Sequence, residues 1–228
     1  MATHLDLEEQ EQIDRVKAFW ARYGNLITWL LVLVLGAYAA WNGWNWWQRE
    51  QAAKAGALYD EVDKAAQAAD AATAAAIFKT MQERFGRTPF TQQAGLLVAK
   101  VQQDAKQADA AQSTLAWVAA NAPEDEYRTI ALLRLAGLQL EQKKFDDALK
   151  SLDGAKAKTF EALVADRRGD VLLAQGKSEE AKAAYTQAWK AMDAKVEYRR
   201  LIDAKLAALG APAPAEPGRT ASAAESGK

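Results

Sequence analysis

The side chains that most often do nucleophilic, general-base or metal chemistry near neutral pH are nearly missing from this chain. It contains no cysteine and a single histidine, His4. Thiolate nucleophiles, disulfides and thiolate metal sites are therefore excluded, and the chain beyond its first residues has no imidazole. Carboxylates and lysines remain. The densest acidic run is Glu124, Asp125 and Glu126, directly after Pro123. Clustered carboxylates could ligate a cation, but an acidic first turn facing the positive end of a helix dipole explains the same spacing, and that explanation is preferred. Glu179 and Glu180 fit it equally. Arg167-Arg168 and Arg199-Arg200 are expected to be solvated or paired with nearby carboxylates. No pattern assembles a nucleophile, a base and an orienting group, so the expectation is no enzyme, no cofactor and no metal.

Charge points the same way. The chain has 29 Lys and Arg against 30 Asp and Glu, and 48–210 alone has 24 against 23. A near-neutral surface of mixed sign lacks the basic patch that phosphate neutralisation needs, so no nucleic acid is expected as a partner.

The elements that would carry any site are helices. Ala is abundant from 48 to 210, β-branched residues are sparse, and the only two prolines there, Pro89 and Pro123, fall between apolar-periodic blocks. The periodicity predicts helices near 50–67, 70–85, 89–105, 107–121, 125–143, 145–156, 160–175, 178–193 and 196–208. Gly86 and Gly176 are expected to close helices, with Ser178 as an N-cap. Short loops require neighbouring helices to pack antiparallel.

An internal repeat organises these helices. Ala136, Ala148, Leu152 and Ala155 recur at a shift of 33 as Gly169, Ala181, Tyr185 and Ala188. A tetratricopeptide unit of ~34 residues needs a small residue in its first helix (A) where its second helix (B) crosses closely. It also needs Ala near the start of helix B, then a large apolar residue and another Ala. The tract Gln142 to Ala148 looks like an A-to-B turn, and Ala99, Ala111 and Leu115 form a weaker upstream copy. In such a stack the A helices line a concave face. The register places Ile130, Leu133, Gly137 and Glu141 on that face in one unit, and Asp166 and Asp170 in the next. These six are the candidate protein-binding residues. The bland alternative is that their apolar members pack against a neighbouring or terminal helix.

Upstream lies LITWLLVLVLGAYAAWNGWNWW, residues 26–47, with no ionisable side chain except Tyr38. Twenty-two helical residues span about 33 Å, close to a ~30 Å hydrocarbon core. Phe19, Trp20 and Tyr23 before it, and Trp41, Trp44, Trp46 and Trp47 at its end, suit the two interfaces with the lipid bilayer. Ala37-Tyr38-Ala39 has the form of a signal-peptidase site. The preceding 25 residues, however, carry five acids and three bases, unlike a short basic n-region, so an uncleaved anchor is expected. Arg15, Lys17 and Arg22 on one flank and Arg49, Lys54 and Lys64 on the other lean only slightly towards a cytoplasmic N-terminus. After Gly210, Pro, Ala, Gly and Ser without large apolar residues cannot build a core, so a disordered tail is expected. The domains are then an acidic tail at 1–25, a transmembrane helix at 26–47, a repeat domain at 48–210 and a tail at 211–228. The fold class is all-α: one N-terminal transmembrane helix followed by a tetratricopeptide-like helical-repeat domain.

This order of segments resembles the YfgM-like family of ancillary subunits of the bacterial SecYEG translocon. The resemblance rests on the tail LEEQEQIDRVKAFWARYGN, the anchor ending WNGWNWWQ, the AGALYDEV that opens the domain, and the repeat GDVLLAQGKSEEAKAAYTQA. It implies a single-pass inner-membrane protein with a cytoplasmic N-terminus and a periplasmic repeat domain. It implies the SecYEG translocon and a membrane-anchored periplasmic chaperone of parvulin-like type as partners. The function it implies is a non-enzymatic adaptor that passes translocated envelope proteins to chaperones. The alternative is a membrane-anchored assembly scaffold with the same anchor inverted and a cytoplasmic repeat domain.

Overall fold

The computed structural model describes residues 7–211, with side chains from Glu11 onward. His4 and the tail beyond Ala211 lie outside the described residues. The elements are α1 (Leu7–Gln67), α2 (Ala71–Phe85), α3 (Pro89–Asp104), α4 (Ala108–Asn121), α5 (Asp125–Glu141), α6 (Phe145–Asp153), a 3-10 turn (Lys158–Phe160), α7 (Glu161–Ala174), α8 (Ser178–Ala191) and α9 (Arg199–Ala208). Among the described residues there is no strand. The chain divides into two units, Met1–Ala53 and Lys54–Lys228.

The first unit contains most of α1. Among the described residues this is the one helix long and apolar enough to cross a membrane. Between 26 and 47 it is apolar on every side: Trp29 and Leu33 are each 68% exposed, Leu35 62% and Trp41 67%. A helix hydrophobic all round needs an apolar surrounding on all its faces, which fits a membrane span. Thr28 and Asn42 do not break this character, because each donates back to a carbonyl one turn earlier, Gly24 O at 2.8 Å and Tyr38 O at 3.1 Å.

The second unit starts inside α1, whose last turns bury Ala55, Val62 and Ala65. The helix expected at 50–67 is therefore the end of α1 rather than a separate element. Successive helices pack on one another from α2 to α9, and α3 with α5 and α5 with α7 also touch. The core runs in three clusters: one from the end of α1 to α5 around Phe78, Met81 and Leu115, one around Ala136, Leu152 and Val171, and one around Tyr185, Trp189, Ile202 and Leu206.

The repeat is clearer in the backbone than in the side chains. Four A-to-B turns share one conformation, with Ala69 (φ 53°), Lys106 (φ 60°), Lys143 (φ 60°) and Gly176 (φ 79°) in the left-handed region. In each, the next amide reaches back to the closing helix: Asp70 N to Ala65 O, Gln107 N to Gln102 O, Lys144 N to Gln139 O and Lys177 N to Leu172 O, at 2.8–2.9 Å. This is the Schellman closure, which satisfies carbonyls the helix end would orphan. The four pairs are thus the end of α1 with α2, α3 with α4, α5 with α6, and α7 with α8; α9 follows as a single terminal helix. Only Gly176 takes the left-handed turn without steric cost. Lys143→Gly should therefore stabilise the domain by about 0.5–1 kcal/mol, the ~1–2 kcal/mol left-handed penalty outweighing the ~0.5–1 kcal/mol entropy cost of Gly. Gly176→Ala should destabilise by a similar amount. Unchanged urea midpoints in both variants would contradict this turn geometry.

Several expectations shift locally. Gly86 closes α2 with ordinary right-handed geometry (φ −53°). Ser178 is the first residue of α8; Lys177 occupies the cap position, with no side-chain cap bond. α6 ends at Asp153 instead of near 156, and the 3-10 turn follows. Ala155 therefore lies outside helix B and is only partly buried. Ala157 is buried instead, its amide donating to Thr129 Oγ1 at 3.1 Å. The last helix opens at Arg199, with its guanidinium carbon 3.8 Å from the Trp189 ring centroid.

Candidate functional site

The A helices present a groove of about 420 Å³ in the second unit. It is bounded by α3, α5, α7, Phe160 of the 3-10 turn, and Tyr198 just before α9. On α5, Ile130, Leu133, Arg134, Gly137 and Glu141 follow one another at helical spacing, so one face of one helix forms a wall. From α7 come Leu163, Asp166 and Arg167, and from α3 Gln103. Five of the six candidate residues, Ile130, Leu133, Gly137, Glu141 and Asp166, line this groove. Asp170, one turn further along α7, is not among its lining residues. The helical period brings these residues to one face, and the absence of a side chain at Gly137 keeps the wall low: a Cβ there would lie 3.9 Å from the Arg167 guanidinium, an ordinary contact.

The two aspartates are committed to the protein's own last helix. Lys205 of α9 donates to both oxygens of Asp166 at 2.8 Å and to Asp170 Oδ1 at 2.7 Å. Tyr198 Oη donates to Asp166 Oδ2 and Tyr185 Oη to Asp170 Oδ1, each at 2.8 Å. Arg167 stands 3.7 Å from Asp170 Oδ2. Burial, together with the hydrogen bond each donates to a carboxylate, pushes both tyrosine hydroxyls above the ordinary phenol range. They remain donors at any physiological pH. Asp166 is 2% exposed, and a carboxylate so deep in the fold is tolerable only with such a set of donors. The bland alternative, that the apolar candidates pack against a neighbouring or terminal helix, holds in part: Ile130 and Leu133 each pack against a core cluster built with neighbouring helices, while it is the carboxylates that meet the terminal helix. Ile130, Leu133 and Gly137 nevertheless stay partly open.

Sequence reasoning missed Arg134, Phe160, Leu163, Tyr198 and Lys205. A signal existed for the last: Asp166 and Asp170 are four apart on one helix face, and Lys205 lies about one repeat further on. Of the other charged runs, Arg200 is exposed as expected, whereas Arg199 is partly buried against Trp189. Asp125 pairs with Arg128 at 2.6 Å in the first turn of α5, and Arg168 with Asp153 at 2.6 Å.

Comparison with known proteins bears on the chain almost from end to end. The family described as a tetratricopeptide repeat-like domain matches residues 17–211, so it takes in the apolar helix as well as the repeats. A protein of Neisseria gonorrhoeae (strain ATCC 700825 / FA 1090), named ancillary SecYEG translocon subunit, is 33% identical over 210 residues, covering 92% of this chain and 100% of its own length. A protein of the same name from Escherichia coli (strain K12) is 29% identical over 177 residues, covering 78% of this chain and 85% of its own.

Proposed function

The chain belongs to the YfgM-like family of ancillary SecYEG translocon subunits, and from that membership we propose that it is a non-enzymatic inner-membrane adaptor. Its apolar helix anchors it beside the SecYEG translocon. Its repeat domain lies in the periplasm and binds a membrane-anchored chaperone of parvulin-like type, translocated envelope proteins, or both. The observation that carries this reading is the open groove on the A-helix row, where Ile130, Leu133 and Leu163 leave apolar surface partly uncovered beside charged rims. Apolar surface beside charged rims is the character of a protein-recognition surface. The domain boundaries at 25, 47 and 210 belong to the same proposal.

Topology is the decisive test. The chain has no cysteine, so each introduced thiol is the only one. Ser178 is exposed, and Ser178→Cys is expected to react with a membrane-impermeant maleimide applied to intact spheroplasts. Thr3→Cys should react only after the membrane is broken. The opposite labelling pattern would overturn the adaptor and support the scaffold with a cytoplasmic repeat domain.

A further inference from the structure

Charge pairing around the groove is complete except at two positions. Asp166 and Asp170 are balanced by Lys205 and Arg167. Arg134 and Glu141 also line the groove, and among the described residues neither forms an ion pair. One N–H of Arg134 donates to Leu96 O at 2.9 Å; no other acceptor meets its guanidinium among the described residues. Ile130 and Leu133 stand beside it on α5, with Leu163 and Phe160 also lining the groove. Arg134 is exposed as a whole residue, and the atoms packed around its guanidinium hold it below the usual arginine value. An accessible guanidinium with free N–H groups matches a planar carboxylate better than any neutral group.

We propose that this groove binds a short segment of a partner protein in which an apolar side chain sits next to a carboxylate, the apolar group lying against Ile130, Leu133 and Leu163 and the carboxylate held by Arg134. This deepens the proposed adaptor function and rests on it. Glu141 adds polarity. It lies seven residues along the same helix, about 10 Å from Arg134 at the ~1.5 Å helical rise. A cation on the segment about 10 Å from its carboxylate meets Glu141, and the reversed segment meets like charge at both ends. Such like-charge contacts discriminate between partners even where the attractive pairs add little affinity.

The probe is a display library of random dodecapeptides, panned against the full chain in phosphatidylcholine nanodiscs. Gly137→Leu serves as the blocked groove: the substitution suits a helix and projects into the groove, not into the core. Peptides that bind the parent and not Gly137→Leu should be enriched in Asp or Glu adjacent to Leu, Ile or Phe. For such a peptide, changing its acid to the amide, or Arg134→Gln in the protein, should each weaken binding about tenfold, without adding to one another. Arg134→Lys should recover part of the loss, which a purely structural role for Arg134 would not produce. Parent-like melting of each variant is the control for folding, and Arg200→Gln, which removes an exposed positive charge outside the groove, should leave peptide binding unchanged. Groove-dependent peptides without acidic enrichment, or affinity indifferent to Arg134→Gln, would overturn the carboxylate proposal and leave the groove as a binding site. If no peptide depends on Gly137, the groove reading itself fails, whatever the charges do.

Discussion

Lys205→Met is expected to destabilise the repeat domain by about 3 kcal/mol and to release α9. The ammonium is the shared partner of two carboxylates, and the Lys205 and Asp166 side chains are only 21% and 3% exposed. Removing one member of a buried ion pair leaves the other charged and unmatched, which costs ~3–5 kcal/mol. The lower end applies because Tyr198 and Tyr185 still donate to the stranded carboxylates. The loss should be local in its first step. α9 is held otherwise by Ile202 and Leu206, both fully buried, and by the stacking of Arg199 on Trp189. Amides of 199–208 should therefore exchange hydrogen faster before the rest of the domain does. Neutralising the carboxylates in the same chain, with Asp166→Asn and Asp170→Asn, should recover much of the loss. An urea midpoint within about 1 kcal/mol of the parent's would mean that the network does not hold the helix.

Gly169→Ala should cost about 3 kcal/mol, the upper part of the ~1–3 kcal/mol range for overpacking a tight contact. A Cβ at Gly169 would collide with Tyr185 Cε1 and lie 2.5 Å from Cδ1. The ring cannot swing aside cheaply, because its hydroxyl is tied to Asp170 and the side chain is 1% exposed. The preceding repeat shows what relieves the clash. There Ala136 and Leu152, both buried, occupy the equivalent positions. Gly169→Ala with Tyr185→Leu reproduces that pairing and should recover part of the stability, short of the full amount because the hydrogen bond to Asp170 is gone. Thermal melts of the two single variants and the double would measure the coupling; strictly additive losses would show that the two positions do not meet.

Much of the architecture was legible because it follows from local rules. Periodicity and Ala content located each helix of the repeats to within a few residues, and Pro89 sits at the start of α3 as its missing N–H allows. The 33-residue shift found the close crossing at Gly169 with Tyr185, since a small residue facing a large one is a pairwise rule. It failed at Ala155, because Gly154 ends α6 first: its amide turns back to Ser151 O at 3.2 Å. The turn at Gln142 to Ala148 was legible as a turn, but the left-handed residue of it and of the other A-to-B turns was not. Lys106, Lys143 and Ala69 carry no sign of a left-handed residue, and the conformation is imposed by the helices packed on either side.

The candidate site divides along the same line. Ile130, Leu133, Gly137 and Glu141 could be placed on one face from sequence alone, since side chains three, four and seven apart on a helix share a direction whatever surrounds them. Composition alone likewise determined the all-α class and the apolar helix. Which of those faces stayed open was decided only in three dimensions. Asp166 and Asp170 have the right helical phase for a partner, yet Lys205, 39 and 35 residues away, closes on them. Arg134 becomes a charge in search of a carboxylate because α7 spends its acids on α9. Helical phase is set by bonds between near neighbours. Charge balance in a groove is a sum over segments far apart in the chain, and it exists only once they have packed.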